Sequence, residues 1–219
     1  MGSGRSAAGA GGDVLRRLRT GTAEQHEDVE RTLDLLDPDL QRGRLTTVLA
    51  RMHGFWVAAE EGLDRWAGRF PDDAAAADWP RRRRAGLFAA DLVALGGTPA
   101  GAGPQLPDVG STDTALGRLY VLEGSTLGGV VIDRHLASLP RLADVRIRAF
   151  SPYGGDTGAM WAAFRRVTRA RVDAGGDEGA VVDSARATFR ALADWCRPAS
   201  PSATTGEGPR PVSRPAPGR

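Results

Sequence analysis

The chain has 219 residues, 41% of them hydrophobic, and trimming the two ends that lack apolar periodicity leaves a body of the size one domain usually takes. Net charge is +2, and all 29 basic residues are arginine. The one basic run, Arg81 to Arg84, reads as a solvated helix start rather than a phosphate-tracking patch, so no nucleic-acid partner is expected. Cys196 is the single cysteine and has no intrachain partner; the opening MGSGRSAAGAGG lacks the apolar core of a signal peptide, and no stretch approaches the roughly 20 apolar residues of a membrane span, which predicts a cytoplasmic protein without a membrane partner.

Residues 1–12 read as a disordered leader. From Asp13 to Leu36 the apolar residues Val14, Leu15, Leu18, Val29, Leu33 and Leu36 follow the three-four spacing of an amphipathic helix, which Asp37-Pro38 ends. A second, core-facing helix is predicted from about Arg44 to Phe70 on the stripe Leu45, Leu49, Met52, Trp56, Ala59, Leu63 and Trp66, with Pro71 as its stop. An acidic, Ala-rich link follows. Arg81 to Leu95 then reads as a shorter helix closed by Gly96-Gly97, and Thr98 to Gly110 as a loop.

Ser111, Thr112 and Asp113 offer N-caps for a third long helix that runs to Leu139 before Pro140. A loop around Ser151-Pro152-Tyr153-Gly154-Gly155 leads to a helix over Thr157 to Ala174, and Gly175-Gly176 separates this from a last helix ending at Trp195. Residues 198–219, rich in Pro, Ser, Thr and Gly, read as a disordered tail. The expected architecture is therefore a single all-α domain over 13–197, with no internal repeat.

Three positions stand out for chemistry. His26 lies beside the apolar stripe of the first helix rather than on its Arg- and Glu-rich face, so it is expected to point toward the interior, where an imidazole serves equally as a hydrogen-bonded core residue or as an iron ligand. Gly124 and Gly128 share a face of the third long helix, with Gly129 adjacent. Glycine costs roughly 0.8–1 kcal/mol against alanine inside a helix, so a close helix crossing or a flat ligand against bare backbone is needed to explain them. Arg19, two helical turns before His26, and Arg165, Arg166 and Arg169 are cations suited as a group to a dianionic ligand.

Thr22-Ala23-Glu24-Gln25-His26 resembles the proximal-helix signature of haem oxygenases. Leu119-Tyr120-Val121-Leu122-Glu123-Gly124-Ser125-Thr126-Leu127-Gly128-Gly129 resembles the distal helix of their bacterial, biliverdin-producing branch, and Phe150-Ser151-Pro152-Tyr153-Gly154 with Thr157-Gly158-Ala159-Met160-Trp161 is similar to another stretch of it. The resemblance runs from about Leu15 to Trp195 and implies a haem-oxygenase-like helical bundle with haem sandwiched between a proximal and a distal helix. It implies His26 as proximal iron ligand, Gly124, Gly128 and Gly129 against the haem face, and Arg19, Arg165 and Arg169 as propionate-binding cations.

The activity implied is cleavage of haem, which is both cofactor and substrate, by dioxygen and external electrons to biliverdin, carbon monoxide and ferrous iron. A separate electron-donor protein, of ferredoxin or flavoprotein reductase type, is the implied partner. Ser125 stands where the animal-type pattern has an aspartate. Its hydroxyl can still donate and accept, which leaves open the group that anchors distal water. His53 and His135 read as structural or surface residues. A haem carrier or sensor without turnover is the main alternative, with another small-molecule enzyme on the same architecture behind it. A di-iron bundle lacks its paired Glu-x-x-His motifs.

Overall fold

The computed structural model describes residues 10–99 and 101–198, with side chains from Val14 onward; most of the expected leader and tail lie outside the described residues. Eight helices run in the order α1 (Ala10–Gly21), α2 (Ala23–Leu33), α3 (Arg42–Arg69), α4 (Pro71–Ala76), α5 (Ala85–Ala94), α6 (Thr112–Ser138), α7 (Thr157–Asp173) and α8 (Glu178–Cys196). Short 3-10 turns lie at Trp79–Arg82, Pro140–Leu142 and Gly154–Asp156. Among the described residues there is no strand.

Each long amphipathic pattern becomes a helix, and the departures have local causes. The helix expected over Asp13 to Leu36 is two helices, α1 and α2, which meet at Gly21 and Thr22. Glycine weakens the helix there, and the hydroxyls of Thr20 and Thr22 donate to the carbonyls of Arg16 and Leu18 at 3.0 and 2.7 Å. Arg19 and His26 thus sit on separate helices rather than on one continuous face. α2 ends earlier than expected, at Leu33, because Asp34 takes a left-handed conformation (φ 48°) and its N–H returns to the Glu30 carbonyl.

Pro71 does stop α3, yet it also opens α4, since a missing N–H costs nothing at the first position of a helix. The Ala-rich link is therefore a short helix. The expected basic helix start is likewise corrected. Trp79 to Arg82 is a 3-10 turn, Arg83 is extended (φ −69°, ψ 136°), and α5 begins only at Ala85. Arg81 and Arg83 face solvent, whereas Arg82 and Arg84 are buried.

α6 starts at the expected cap. Ser111 accepts from the Thr114 N–H while Thr114 Oγ1 accepts from the Ser111 N–H, a reciprocal pair that closes the first turn. Among the described residues α6 is the one helix long and apolar enough to cross a membrane, contrary to the composition-based expectation, but 56% of that window is buried inside the protein. Its main neighbour is α8, which also carries α2. α3 lies along α5, with Trp56 and Phe88 rings 4.7 Å apart, and Trp66 Nε1 donates to Thr112 Oγ1 at 3.2 Å.

The α6–α8 crossing is set at Gly117. A Cβ there would run into the Val181 carbonyl and would lie 2.7 Å from the Ser184 Cβ. Gly117→Ala is expected to destabilise the fold by about 1–3 kcal/mol, lowering the thermal midpoint by roughly 5 °C. Gly86→Ala, which meets nothing within 4 Å, is expected to be neutral or stabilising by up to about 1 kcal/mol. Differential scanning calorimetry of both variants checks the contrast.

Candidate active site

His26 stands in the first turns of α2, and its side chain is 54% exposed rather than buried. The ring lies edge-on to Phe189 of α8 with centroids 5.5 Å apart. Its Nδ1 lies 3.7 Å from Glu30 Oε1, one turn along α2. At that distance the two exposed side chains make no hydrogen bond. Nε2 has no hydrogen-bond partner among the described residues.

Phe189 also meets Tyr120 of α6, at 6.5 Å between ring centroids, so one ring touches both His26 and the residue that begins this face of α6. At 100° per residue Tyr120, Gly124, Leu127, Gly128 and Val131 fall within one stripe. Gly124 and Gly128 have nothing within 4 Å of where a Cβ would stand, and Leu127 and Val131 are 45% and 52% exposed. This is an apolar stripe with bare backbone in it, turned away from the core. α2 and α6 both lean on α8 and share few contacts with one another, which leaves a groove over α8 between the two helices.

Gly129 belongs elsewhere. A Cβ at Gly129 would collide with the Phe150 carbonyl, so this glycine serves the packing of α6 on the segment before α7, not the stripe. Packing explains Gly117 and Gly129, and it leaves Gly124 and Gly128 unexplained. Two surface depressions, one of about 520 Å³ lined by Pro104, Gln105, Arg190 and Trp195 and one of about 270 Å³ lined by Arg17, Glu178 and Arg186, include neither His26 nor the glycine stripe.

Cations stand at one end. Burial raises the Tyr120 hydroxyl above its usual range, against the neighbouring Thr22 hydroxyl and the charge of Arg19. Tyr120 also meets Trp161 at 5.9 Å, and Trp161 stacks on Phe164 at 5.3 Å. Arg165 and Arg169 follow Trp161 at four-residue steps, on the same side of α7, while Arg166 is turned away. Arg165 Nε is buried without a partner. The structure thus brings Arg19 and the Arg165 side of α7 to the Tyr120 end of the groove.

Behind the glycine stripe is a polar cluster that the sequence reading missed. Ser125 Oγ donates to the Leu122 carbonyl at 2.7 Å and accepts from Arg84 Nη2 at 2.8 Å. Its proton is thus engaged by its own helix, and Arg84 supplies the nearest charge. Arg84 also donates to the Leu122 and Ala149 carbonyls and lies over the Trp56 ring at 5.0 Å. Glu60 accepts the backbone N–H groups of Arg84 and Ala85 at 2.6 and 2.8 Å.

Alongside, Arg82 pairs with Glu123, both nearly inaccessible to solvent, and Tyr153 donates to Glu123 at 2.8 Å. Burial pushes the Glu60 carboxyl up, against the two N–H groups and the charges of Arg84 and Arg83. Burial and the Glu123 charge hold the Tyr153 hydroxyl well above its ordinary range. His53 is a buried α3 residue whose imidazole burial holds below its ordinary value, and His135 Nε2 bonds the Asp37 carbonyl at 2.9 Å. Neither histidine lines the groove.

No family model matches the chain. A haem oxygenase of Xanthomonas campestris pathovar campestris is 33% identical over 143 residues, which cover 65% of this chain and 82% of that protein. The chain belongs to the haem oxygenase family. Two solved structures share the fold. The NO- and CO-bound haem oxygenase of Neisseria meningitidis superposes with a TM-score of 0.68 at 22% identity, covering 90% of this chain and 98% of that one. The haem oxygenase of Leptospira interrogans superposes at 0.65 and 16% identity, covering 84% and 98%. The all-helical expectation is met, and family membership does not favour the carrier or sensor alternative.

For a haem oxygenase the fit to the substrate is physical. Gly124 and Gly128 form a wall that any Cβ would begin to fill, and His26 offers a ring nitrogen that no protein group claims. The polar cluster left two sequence signals. Glu60 interrupts the apolar stripe of α3 between Trp56 and Leu63, and Glu123 sits among Leu119, Leu122 and Thr126 on α6. A carboxylate on an apolar stripe asks for a buried cation.

Arg82→Met is expected to cost about 3–5 kcal/mol, because it strands a buried Glu123 carboxylate. Arg81→Met is expected to change stability by less than about 0.5 kcal/mol, since its partner Asp156 and Arg81 itself are both exposed. Urea unfolding followed by circular dichroism measures both.

Proposed function

We propose that this haem-degrading enzyme holds its substrate in the groove between α2 and α6, with His26 as the proximal iron ligand and Gly124 and Gly128 as the opposite wall. The observation that carries the reading is the pairing of an unclaimed imidazole with glycines that no packing contact requires, on two helices that α8 supports. Haem supplies the iron that binds dioxygen and the ring that is cleaved, to biliverdin, carbon monoxide and ferrous iron. Electrons come from a separate protein of ferredoxin or flavoprotein reductase type, and the enzyme works in the cytoplasm.

Each residue has a physical task. His26 gives the iron a ring nitrogen that no protein group claims. Leu127 and Val131 exclude water from the wall that Gly124 and Gly128 leave flat, since apolar surface against a flat apolar ligand is favourable at roughly 25 cal/mol per Å². Arg19, Arg165 and Arg169 take the propionates at the Tyr120 end, where charge-assisted hydrogen bonds fix the ligand's rotation. Ser125, held by Arg84, offers a remaining lone pair beside the wall rather than a free proton.

The test uses purified protein with about one equivalent of hemin, then a ferredoxin reductase system under oxygen with catalase. The expected result is a Soret shift on binding, followed by decay into biliverdin absorption with release of carbon monoxide. Stable bound haem would instead favour the carrier. His26→Ala is expected to abolish the histidine-ligated spectrum and turnover, and an unchanged spectrum rejects the ligand assignment. Gly128→Leu is expected to leave the unfolding free energy of the haem-free protein unchanged or raised by about 1 kcal/mol through helix propensity, while weakening hemin binding at least about tenfold, equivalent to 1.4 kcal/mol.

A further inference from the structure

On the face of α8 opposite Phe189, the residues Ala187, Arg190, Ala191, Asp194 and Trp195 recur at three- and four-residue steps. They form one side of the depression of about 520 Å³, and Pro104 and Pro107 of the loop before α6 form the other. The two alanines make the hollow, since neither fills the space that the indole and the prolines border. Its volume lies within the range of small-molecule sites, roughly 300–1,000 Å³.

Both sides are held from behind. Trp195 Nε1 donates to the Arg51 carbonyl at 2.8 Å, and the Arg51 guanidinium carbon lies 5.0 Å from the Trp195 ring centre. In the loop, Arg118 of α6 donates to the Pro107 carbonyl and Arg69 of α3 to the Val109 carbonyl. Gly103 lies so near the Gly54 carbonyl that a Cβ would collide with it. A hollow whose sides are fixed in advance loses little freedom when a ligand arrives.

The charges around it are not balanced. Asp194 is taken by Arg197, and Asp108, beside Pro107, lies 3.7 Å from Arg69. Arg190 makes no hydrogen bond or ion pair among the described residues. Behind Pro107, Arg118 is 2% exposed and its Nε meets no acceptor. The other buried arginines, Arg82 and Arg84, have Glu123 and Glu60 beside them, whereas Arg118 has no carboxylate partner. Burial, with the charge of Arg65 adding to it, brings the Arg118 guanidinium down to about 10, against the pull of Asp108. Fixed positive charge without its counter-charge favours an anion, and an indole facing proline rings favours a flat apolar body.

We propose that this hollow is a second ligand site, for a small aromatic carboxylate whose ring lies between Trp195 and the two prolines and whose carboxylate is held by Arg190. The site lies on the far side of α8 from His26 and does not depend on the haem reading.

The probe is 2-naphthoate, added to the 15N-labelled full chain without haem, with the Trp195 and Trp161 indole signals identified by their loss in Trp195→Phe and Trp161→Phe. The Trp195 signal is expected to shift saturably with a Kd of about 1 mM, as suits so small a ligand, while Trp161, at the Tyr120 end of the haem groove, stays in place. Arg190→Gln, which breaks no contact in the folded chain, is expected to weaken binding about fivefold, and replacing the probe by the uncharged 2-naphthamide to do the same. A Trp195 signal unmoved at about 5 mM probe overturns the site, since a Kd of about 1 mM leaves it mostly occupied there. Movement of Trp161 with Trp195 still puts the probe in the haem groove and overturns it as well. An unchanged affinity in Arg190→Gln overturns the carboxylate assignment.

Discussion

At Gly117 the backbone of α6 lies against the Val181 carbonyl of α8, a contact that admits no side chain. This close approach fixes where the rest of α6 can go. α2 rests on the same helix α8, so the positions of His26 and of Gly124 are both referred to one support, and Phe189 on that support meets both His26 and Tyr120. The width of the groove is therefore a property of α8 and its packing, not of any direct contact between the two walls.

The glycines of α6 divide by what surrounds them. Gly117 and Gly129 lie where a neighbouring carbonyl comes too near for a Cβ, whereas Gly124 and Gly128 border open space. Between them Glu123 is pinned by Arg82 and Tyr153. The helix is held at Gly117, at Glu123 and at Gly129, and the weakest part of its backbone lies among fixed points. In the proposed placement of haem this would let the wall adjust locally while its ends stay in place.

The helices were legible in the sequence because their apolar periods are strong and their caps, such as Ser111 and Pro71, are conventional. Gly124 and Gly128 were legible as a shared face, although the sequence could not separate a crossing from a ligand wall; only the surroundings of each glycine do that. The break at Thr22 was hidden, since hydroxyls that compete for backbone carbonyls look like ordinary polar helix residues. Arg81 to Arg84 misled for a different reason. Burial alternates along that stretch, with Arg82 and Arg84 inside and Arg81 and Arg83 outside, but four identical residues carry no polarity contrast to reveal it. The carboxylates that pair with them, Glu60 and Glu123, are distant in sequence, and only the fold brings them to the same place.

The surface that Gly124 and Gly128 present is main chain, and main chain in a helix has its N–H and C=O groups already engaged along the axis. Such a surface cannot read functional groups. It distinguishes ligands by flatness and thickness alone, so any planar macrocycle of the right size meets the same wall. With haem placed as proposed, discrimination among porphyrins would come from the rim, where Arg19 and the Arg165 side of α7 stand near Tyr120: the centre of the groove would set the shape of what enters, and its charged end which way round it lies.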